Sequence, residues 1–541
     1  MVAQAQSGLM ALHGVERRQP RRLGLDVASA VAGILASQAV LAALVGRSRG
    51  CKVERVETSV LDGALVFLSH RLPIATCGAV PPVDPELTAP GPPFTTADGG
   101  WVELEVLRFA DWRGFWTRLG AAETALDAAW SSYALRYLTG TCALPPSLHA
   151  ATRGQTLAKV REVADACGVA VGRLRTYDEV VADRTGARSE PPWTLDLHTS
   201  GSRPASLGDD DLAAGPLAGL RVVELATRLQ GPLAGLLLQR LGAHVVKVEP
   251  PGGDMGRAGP SAFGRAAYLA YNRGKEIMEL DYKRSEGRTE LRGLAAGADV
   301  FLHNSRPGRA ERLGFGSRDL ARANPGLVYA YASGWGGSTT APSDIAGDYI
   351  VQAHAACGEG LHPDGEPPFP SRLTLVDVTG GLLACEGILA GLCLRERTGA
   401  GCSVGTSLLA AALTLQRPVL DGIAAGREDC RRRGRPLWGP LDRPIPTADG
   451  FLAVWAGDPG TRDRLAAACG LHSSADDERI EVRLRTRAGT EWEPLLRERG
   501  VPAAVVQDDL RGLPRDPAVA PLLEPIDGGA WAPAAPWRFA R

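Results

Sequence analysis

Apolar and polar positions are most clearly patterned between Leu220 and Glu249, LRVVELATRLQGPLAGLLLQRLGAHVVKVE. A short apolar run, Leu220–Leu225, predicts a buried strand. A Gly-Pro loop and a short amphipathic stretch of helical period follow, and a second apolar run ends in Lys-Val-Glu. Strand, tight loop, helix and strand of this length form a βαβ unit, whose loop can bring a phosphate-bearing ligand to a helix N-terminus. The alternation continues downstream. Val300–Leu302 and Leu327–Ala332 predict short strands, and Leu291–Ala296 and Arg318–Ala323 predict helices. Such alternation argues for a parallel, doubly wound α/β sheet.

A second pattern is longer in range. The nearly uncharged run Val27–Val45 follows Arg17, Arg18, Arg21 and Arg22, and by itself would read as a signal peptide or a membrane span. The same pattern recurs inside the chain at Val378–Leu394, where a signal cannot lie, so the membrane reading is rejected. The recurrence is part of an internal repeat. Leu25–Leu65 parallels Val376–Leu413: in both an Asp opens a long apolar helix, an Arg-rich turn follows, then a strand, then Thr-Ser before another helix. Pro93–Leu104 parallels Pro444–Trp455, and Gly168–Asp183 resembles Gly500–Leu513. Each copy ends near a Pro-Trp, at Trp193 and Trp537. The chain therefore reads as a tail (1–24), a copy that has lost its first half (25–200), a Ser/Gly/Asp-rich linker (201–214) and a complete copy (215–541).

Composition narrows the classes. With 541 residues, a net charge of −1 and 45% hydrophobic residues, the chain has ample material for two or more cores and no basic footprint for nucleic acid. Its ten cysteines include no CxxC pair. Zinc ribbons and dithiol motifs are thus not expected, and buried, reduced thiols in a cytoplasmic protein are. A dinucleotide dehydrogenase would fit the strand-loop-helix and the terminal Glu249, but the loop reads LQGPLAG where GxGxxG is required.

The landmarks after the βαβ unit point elsewhere. They are NRGKEIMELDYKRSEG (Asn272–Gly287), ADVFLHNSRPGRAERLGF (Ala298–Phe315), NPGLVYAYASGWG (Asn324–Gly336), AGDYIVQAHAACG (Ala346–Gly358), the Asp377 segment and RERTGAGCSV (Arg395–Val404). In order and spacing they resemble the class III coenzyme A transferases, the CaiB/BaiF family. The resemblance implies a Rossmann-like doubly wound parallel sheet with a smaller α+β domain, present here as one and a half copies. The CoA-binding part would span about 215–395 plus the C-terminal segment, and the small domain about 396–510. It implies CoA as co-substrate, no metal, an acyl-CoA and a carboxylic acid as partners, and a homodimer or a pseudo-dimer within the chain.

By the same resemblance Asp377 is the nucleophile. A carboxylate is a weak nucleophile, but a thiolate leaves readily, with a pKa of about 8.5. A helix N-terminus favours the ionised carboxylate, and Gly380 and Gly381 would leave room for substrate. The bland alternative is that Asp377 caps its helix. Asp348 falls where the family carries a second carboxylate, or is itself a cap. Arg228, Leu229, Gln230, Leu280, Lys283, Asn304 and Arg312 fall on CoA-contacting positions. Arg228 departs from the pattern, since an apolar residue is more usual there; Pro250, Pro251 and Ser305 depart too. Asp26, placed as the counterpart of Asp377 in the truncated copy, reads as a helix cap, because no βαβ unit precedes it to hold CoA. Alternatives that remain open are a 2-methylacyl-CoA racemase, a lyase, or a non-catalytic acyl-CoA scaffold. Racemisation needs an acid and a base on opposite faces of the α-carbon, and no histidine lies between His303 and His354.

Overall fold

The computed structural model describes residues 1–79, 89–184, 191–198, 215–259, 261–427 and 438–540. The linker expected at 201–214 lies outside them, as does Cys430.

The βαβ unit forms with strand Arg221–Leu225, helix Gln230–Arg240 and strand His244–Glu249; the Gly-Pro pair expected in the loop lies in the first turn of the helix, which is buried over Gln230–Leu238 rather than amphipathic. These strands sit in a seven-stranded sheet. Its order is Glu276–Glu279, His244–Glu249, Arg221–Leu225, Val300–His303, Val328–Ser333, Cys402–Ser407 and Thr194–Leu197. All neighbours are parallel except the last pair. Parallel strands covered on both faces should be continuous apolar runs, and the central ones are almost wholly buried. Two of the exceptions, Glu224 and Lys247, form a clamp with Lys275. Glu224 accepts from Lys247 Nζ at 3.1 Å and from Lys275 Nζ at 2.7 Å, all three side chains being buried. Lys275 also donates to the Pro232 carbonyl at 2.8 Å. The polar residues of the "Lys-Val-Glu" and "Asn-Arg-Gly-Lys" segments thus pin helix to sheet, and each buried charge has its partner.

The main core is built around two long helices, Val27–Ser48 and Leu375–Thr398, packed on each other. Both are long and apolar enough to cross a membrane by length and composition. Here the first packs one face into the core, where its Gln38 Nε2 donates to the Leu382 carbonyl at 2.6 Å, and leaves Val40 and Leu44 exposed. Residues 1–24, expected as a tail, are folded into the body. They form helices Val2–Gln6 and Leu9–His13 and bury Leu9 and Met10.

Two small antiparallel sheets arise from the paralleled segments. One joins Phe94–Thr95, Trp101–Glu105 and Ala170–Arg173; the other joins Ile445–Pro446, Phe451–Val454 and Ala503–Val505. Each docks on a helix from the other end of the chain. Arg175 N donates to Ala353 O at 3.0 Å, and Gln507 N donates to Ala5 O at 3.0 Å. The last strands cross over in the same way. Thr194–Leu197 pairs with Cys402–Ser407, and Arg538–Ala540 pairs with Arg55–Glu57. The Trp193 indole donates to Glu386 Oε2, and the Trp537 indole to Leu35 O.

Candidate active site

Asp377 is the third residue of helix Leu375–Thr398. It does not cap that helix: the N-cap position is Thr374, whose side chain makes no capping bond. The cap comes from elsewhere in the chain. Asp348, fully buried at the start of helix Asp348–His354, accepts through Oδ2 from the backbone N–H of both Val376 and Asp377, each at 2.7 Å. Its Oδ1 accepts from Gln352 Nε2 at 2.5 Å. A carboxylate on the orphan N–H groups of a helix N-terminus satisfies both hydrogen bonding and the helix dipole. Asp348 does not line the groove that holds Asp377. The geometry makes it the residue that fixes the Asp377 backbone, and the two N–H groups it holds are not free for an oxyanion.

Asp377 lines a groove of about 280 Å³. The groove runs outside the carboxyl ends of the parallel strands, the usual ligand crevice of such sheets. Leu225, Thr227, Arg228, Gln230, Tyr282, Asn304, Arg306, Arg309 and Leu408 line it, together with the Ser333–Gly336 loop. Of the positions expected to contact CoA, it gathers Arg228, Gln230 and Asn304. Leu229 is the N-cap of helix Gln230–Arg240 and does not line the groove. Leu280 is buried in the apolar cluster with Leu291 and Phe301. Lys283 and Arg312 are exposed outside the groove. The arginines that do line it, Arg306 and Arg309, stand in the same motif as Arg312. Spacing alone did not separate the three: Arg309 and Arg312 share the short helix that follows Gly308 (φ 69°), yet only Arg309 lines the groove.

Gly380 and Gly381 make room for protein rather than substrate. A Cβ on Gly381 would lie 2.7 Å from Gln230 O, and one on Gly380 would lie 2.8 Å from Gln230 Nε2.

The first half of the chain closes the site. Leu107 lines the groove. Glu105, fully buried at the end of strand Trp101–Glu105, accepts from Arg136 Nη2 at 3.0 Å, Tyr137 OH at 2.5 Å and Arg228 Nη1 at 3.5 Å. Arg136 lies over the Tyr133 ring, 3.6 Å from its centroid, and Tyr137 stacks on Tyr349 at 4.5 Å. Gly347 leaves space for this group, since a Cβ there would meet Glu105 Oε2 at 2.6 Å and Tyr137 OH at 2.8 Å. Sequence reading missed Glu105. Its one signal was a charged residue at the end of a short strand, and Glu103 in the same strand shares that signal.

Burial pushes the Asp377 carboxyl up to about 7, with Arg228 pulling it down and Glu105 pushing it up. Burial, and then the neighbouring Asp377, push Asp348 up, against its donors.

In the truncated copy Asp26 caps its helix as expected, but it does not stand opposite Asp377. Asp26 has the same backbone angles as Thr374 (φ −81°, ψ 62° against φ −78°, ψ 61°) and caps its helix by accepting from Ser29 N at 3.3 Å. Gln4 reaches the residues 19 and 21 positions on, Leu23 and Leu25. Gln352 does the same to Ser371 and Leu373. In that register Asp26 stands at Thr374, and the third helical residue, the place of Asp377, is Ser29. The placement of Asp26 opposite Asp377 came from matching Leu-Asp-Val to Val-Asp-Val, which slips the helix by three residues.

Comparison with known proteins agrees with this geometry. The profile of CoA-transferase family III matches residues 1–202 and 217–520. An acetyl-CoA:oxalate CoA-transferase from Acetobacter aceti is 31% identical over 347 residues, 60% of this chain and 88% of its own length. A succinate–glutarate CoA-transferase from Agrobacterium fabrum is 37% identical over 49% of this chain and 69% of its own. Among solved structures, a Mycobacterium tuberculosis protein superposes with TM-score 0.52 at 29% identity, covering 60% of this chain and 94% of its own. A CaiB/BaiF family protein from Brucella suis gives 0.51 at 26%, covering 60% and 93%. The profile match over both halves, with these relatives and the shared fold, shows that the chain is a class III CoA-transferase, a member of CoA-transferase family III.

Proposed function

We propose that the chain moves CoA from an acyl-CoA to a carboxylic acid through covalent intermediates on Asp377. The observation that carries this reading is Asp377 itself: a carboxylate freed from capping by Asp348, lining the groove. An Asp377 oxygen attacks the thioester carbonyl, the C–S bond breaks, and CoA leaves as thiolate. The thiolate then attacks the Asp377 carbonyl of the mixed anhydride and expels the donor acid as its carboxylate, leaving an aspartyl thioester. The acceptor carboxylate reverses these steps and regenerates Asp377. Burial lowers the solvation of the attacking carboxylate, and the nearby Arg228 offsets part of that cost. Arg306 and Arg309, farther along the groove, suit the phosphates of CoA.

The crossed sheets and strands support reading the chain as a pseudo-dimer, with one complete site shared between both halves and a second place that lacks both the CoA-binding sheet and the aspartate. The nine described cysteines are free thiols, which fits a reducing cytoplasm. The racemase alternative gains no support, as no histidine is among the residues lining the groove.

The test is intact-protein mass spectrometry after incubation with a panel of acyl-CoAs and trapping with hydroxylamine. Modification at Asp377, absent in Asp377→Ala, is expected. Retained acyl-CoA binding without modification by any donor would overturn the covalent reading.

A further inference from the structure

We propose that Glu105 is a positioning residue for the transfer: it acts through Arg228, holding the guanidinium beside Asp377, so that the first half of the chain sets how readily the nucleophile of the second half ionises. The inference rests on the transferase reading above and adds a residue to it.

The Arg228 backbone is fixed, but its head needs a partner. Its φ is 66°, a conformation that L-residues adopt rarely and keep where the surroundings impose it. Thr227 N donates to Asn304 Oδ1 at 3.0 Å, Asn304 Nδ2 donates to Thr227 O at 2.8 Å, and helix Gln230–Arg240 begins two residues on. Beyond this backbone the side chain is long and 53% exposed in the groove. Among the described residues, its head makes one hydrogen-bonded ion pair, from Nη1 to Glu105 Oε1 at 3.5 Å. Glu105 therefore decides where the guanidinium sits.

Glu105 is built to hold. It is buried, and its Oε2 is tied to Arg136 Nη2 at 3.0 Å and Tyr137 OH at 2.5 Å, which leaves Oε1 for Arg228. Both anchors are themselves fixed. Arg136 also donates to the Leu104 and Tyr133 carbonyls at 3.3 and 3.0 Å, and the Tyr137 ring stacks on Tyr349 with 2° between their planes. The sheet does not require this charge. Val102 pairs with Phe94 and Leu452 pairs with Ile445, so in the other small sheet the place of Glu105, three residues on, belongs to Trp455. Trp455 and Asp26 line one cavity of about 340 Å³, at the start of the helix that carries Ser29 at the place of Asp377. In this chain the carboxylate accompanies the aspartate, and both are missing from the other place. A buried carboxylate is costly unless paired, so its retention beside Asp377 calls for a role there.

The charged and titratable groups around Asp377 come from several elements. They are Arg228, Glu105, Asp348 and Tyr271 of helix Ala262–Asn272. Behind Tyr271 stand His70, 2.9 Å from its hydroxyl, and Arg71; Asp344 lines the groove. Burial raises the Asp377 carboxyl most, and Arg228 pulls it down more strongly than Glu105 pushes it up. Losing the hold on Arg228 therefore outweighs losing the charge of Glu105, and this gives the test its sign.

The test follows the acid limb of turnover against pH, at saturating donor, in the full chain. Glu105→Asp keeps the charge and withdraws it by one methylene. Glu105→Gln keeps the length and turns an amide toward the guanidinium. Both should raise the limb by about 0.5–1 pH unit, with donor KM changed less than kcat. A bare charge effect would lower the limb in Glu105→Gln and hardly move it in Glu105→Asp, and either result would overturn the proposal. In Arg228→Met there is no guanidinium to hold, so neither change should raise the limb further; shifts of the same size there would also overturn it. A second arm reads the same ionisation without turnover, as the stability gap between each chain and its Asp377→Asn partner in denaturant titrations. In wild type the gap should stop growing near pH 7, and in both Glu105 variants it should go on growing beyond that. If no donor labels Asp377 but these shifts appear, the role of Glu105 stands and the covalent reading falls. If Asp377 labels as expected while gap and limb stay unmoved, the role of Glu105 falls.

Discussion

At Asp377 the fold favours the proton and the proposed chemistry needs the anion. Its carboxyl is raised from 3.8 to about 7, so folding takes up a proton between those values. The cost of the ionised form is absent below about pH 4 and complete above about pH 7. Asp377→Asn should therefore match wild type at pH 4 and be more stable at pH 8 by on the order of 2–4 kcal/mol, as denaturant titrations at the two pH values would show; a gap that grows toward acid would have the wrong sign. Activity runs the other way. Turnover with saturating donor should rise through about pH 7, and Arg228→Met, which removes the cation facing Asp377, should move that limb to higher pH. Asp348 contributes through position. Asp348→Asn leaves an amide where two backbone donors expect an oxygen, and should cost about 2–4 kcal/mol while lowering kcat rather than raising KM. Unchanged stability with altered pH dependence would instead make Asp348 a proton carrier. Asp377 was legible in the sequence because it opens a recognisable helix after ordered landmarks. Glu105 was not, because its role depends on a strand some 270 residues away in sequence from Asp377 being folded against it.

At the level of elements, the two long helices share a sequence pattern but not an environment. Helix Leu375–Thr398 lies against helix Gln230–Arg240 and the sheet, and a Cβ on Gly381 would meet Gln230 O at 2.7 Å and Leu233 Cβ at 3.0 Å. Gly33, at the corresponding place in helix Val27–Ser48, has nothing within 4 Å. The same substitution should have opposite signs. Gly381→Ala should destabilise by about 1–3 kcal/mol, whereas Gly33→Ala should stabilise by about 0.5–1 kcal/mol; thermal unfolding of the two variants checks both, and equal effects would contradict the environments described. The central strands of the parallel sheet could be read from the sequence to within a residue, because a buried parallel strand is an unbroken apolar run, whereas the helix expected at Leu291–Ala296 begins at Ser285 and the half-exposed edge strand Glu276–Glu279 carried no such signal. The register between the two halves could not. Leu-Asp-Val and Val-Asp-Val match as letters, and only the backbone angles and the glutamine brackets show that Asp26 stands at Thr374.

For the whole molecule, the decisive feature is that each half completes the other. The last strand of each half pairs with a strand of the other, and Leu107 and Glu105 reach the groove from the first half. Residues 206–541 produced alone should be inactive and unstable, and co-expression with residues 1–205 should restore a tight complex and turnover. A stable, fully active 206–541 fragment would show that the first half is dispensable. The central claim is that Asp377 carries the transferred group, and the path of oxygen tests it most directly. Turnover with an acceptor acid whose carboxylates carry heavy oxygen should leave one labelled oxygen in the peptide containing Asp377, and on the next cycle pass it to the released donor acid. Complete transfer of CoA with no label in Asp377 and none in the donor acid would contradict the account.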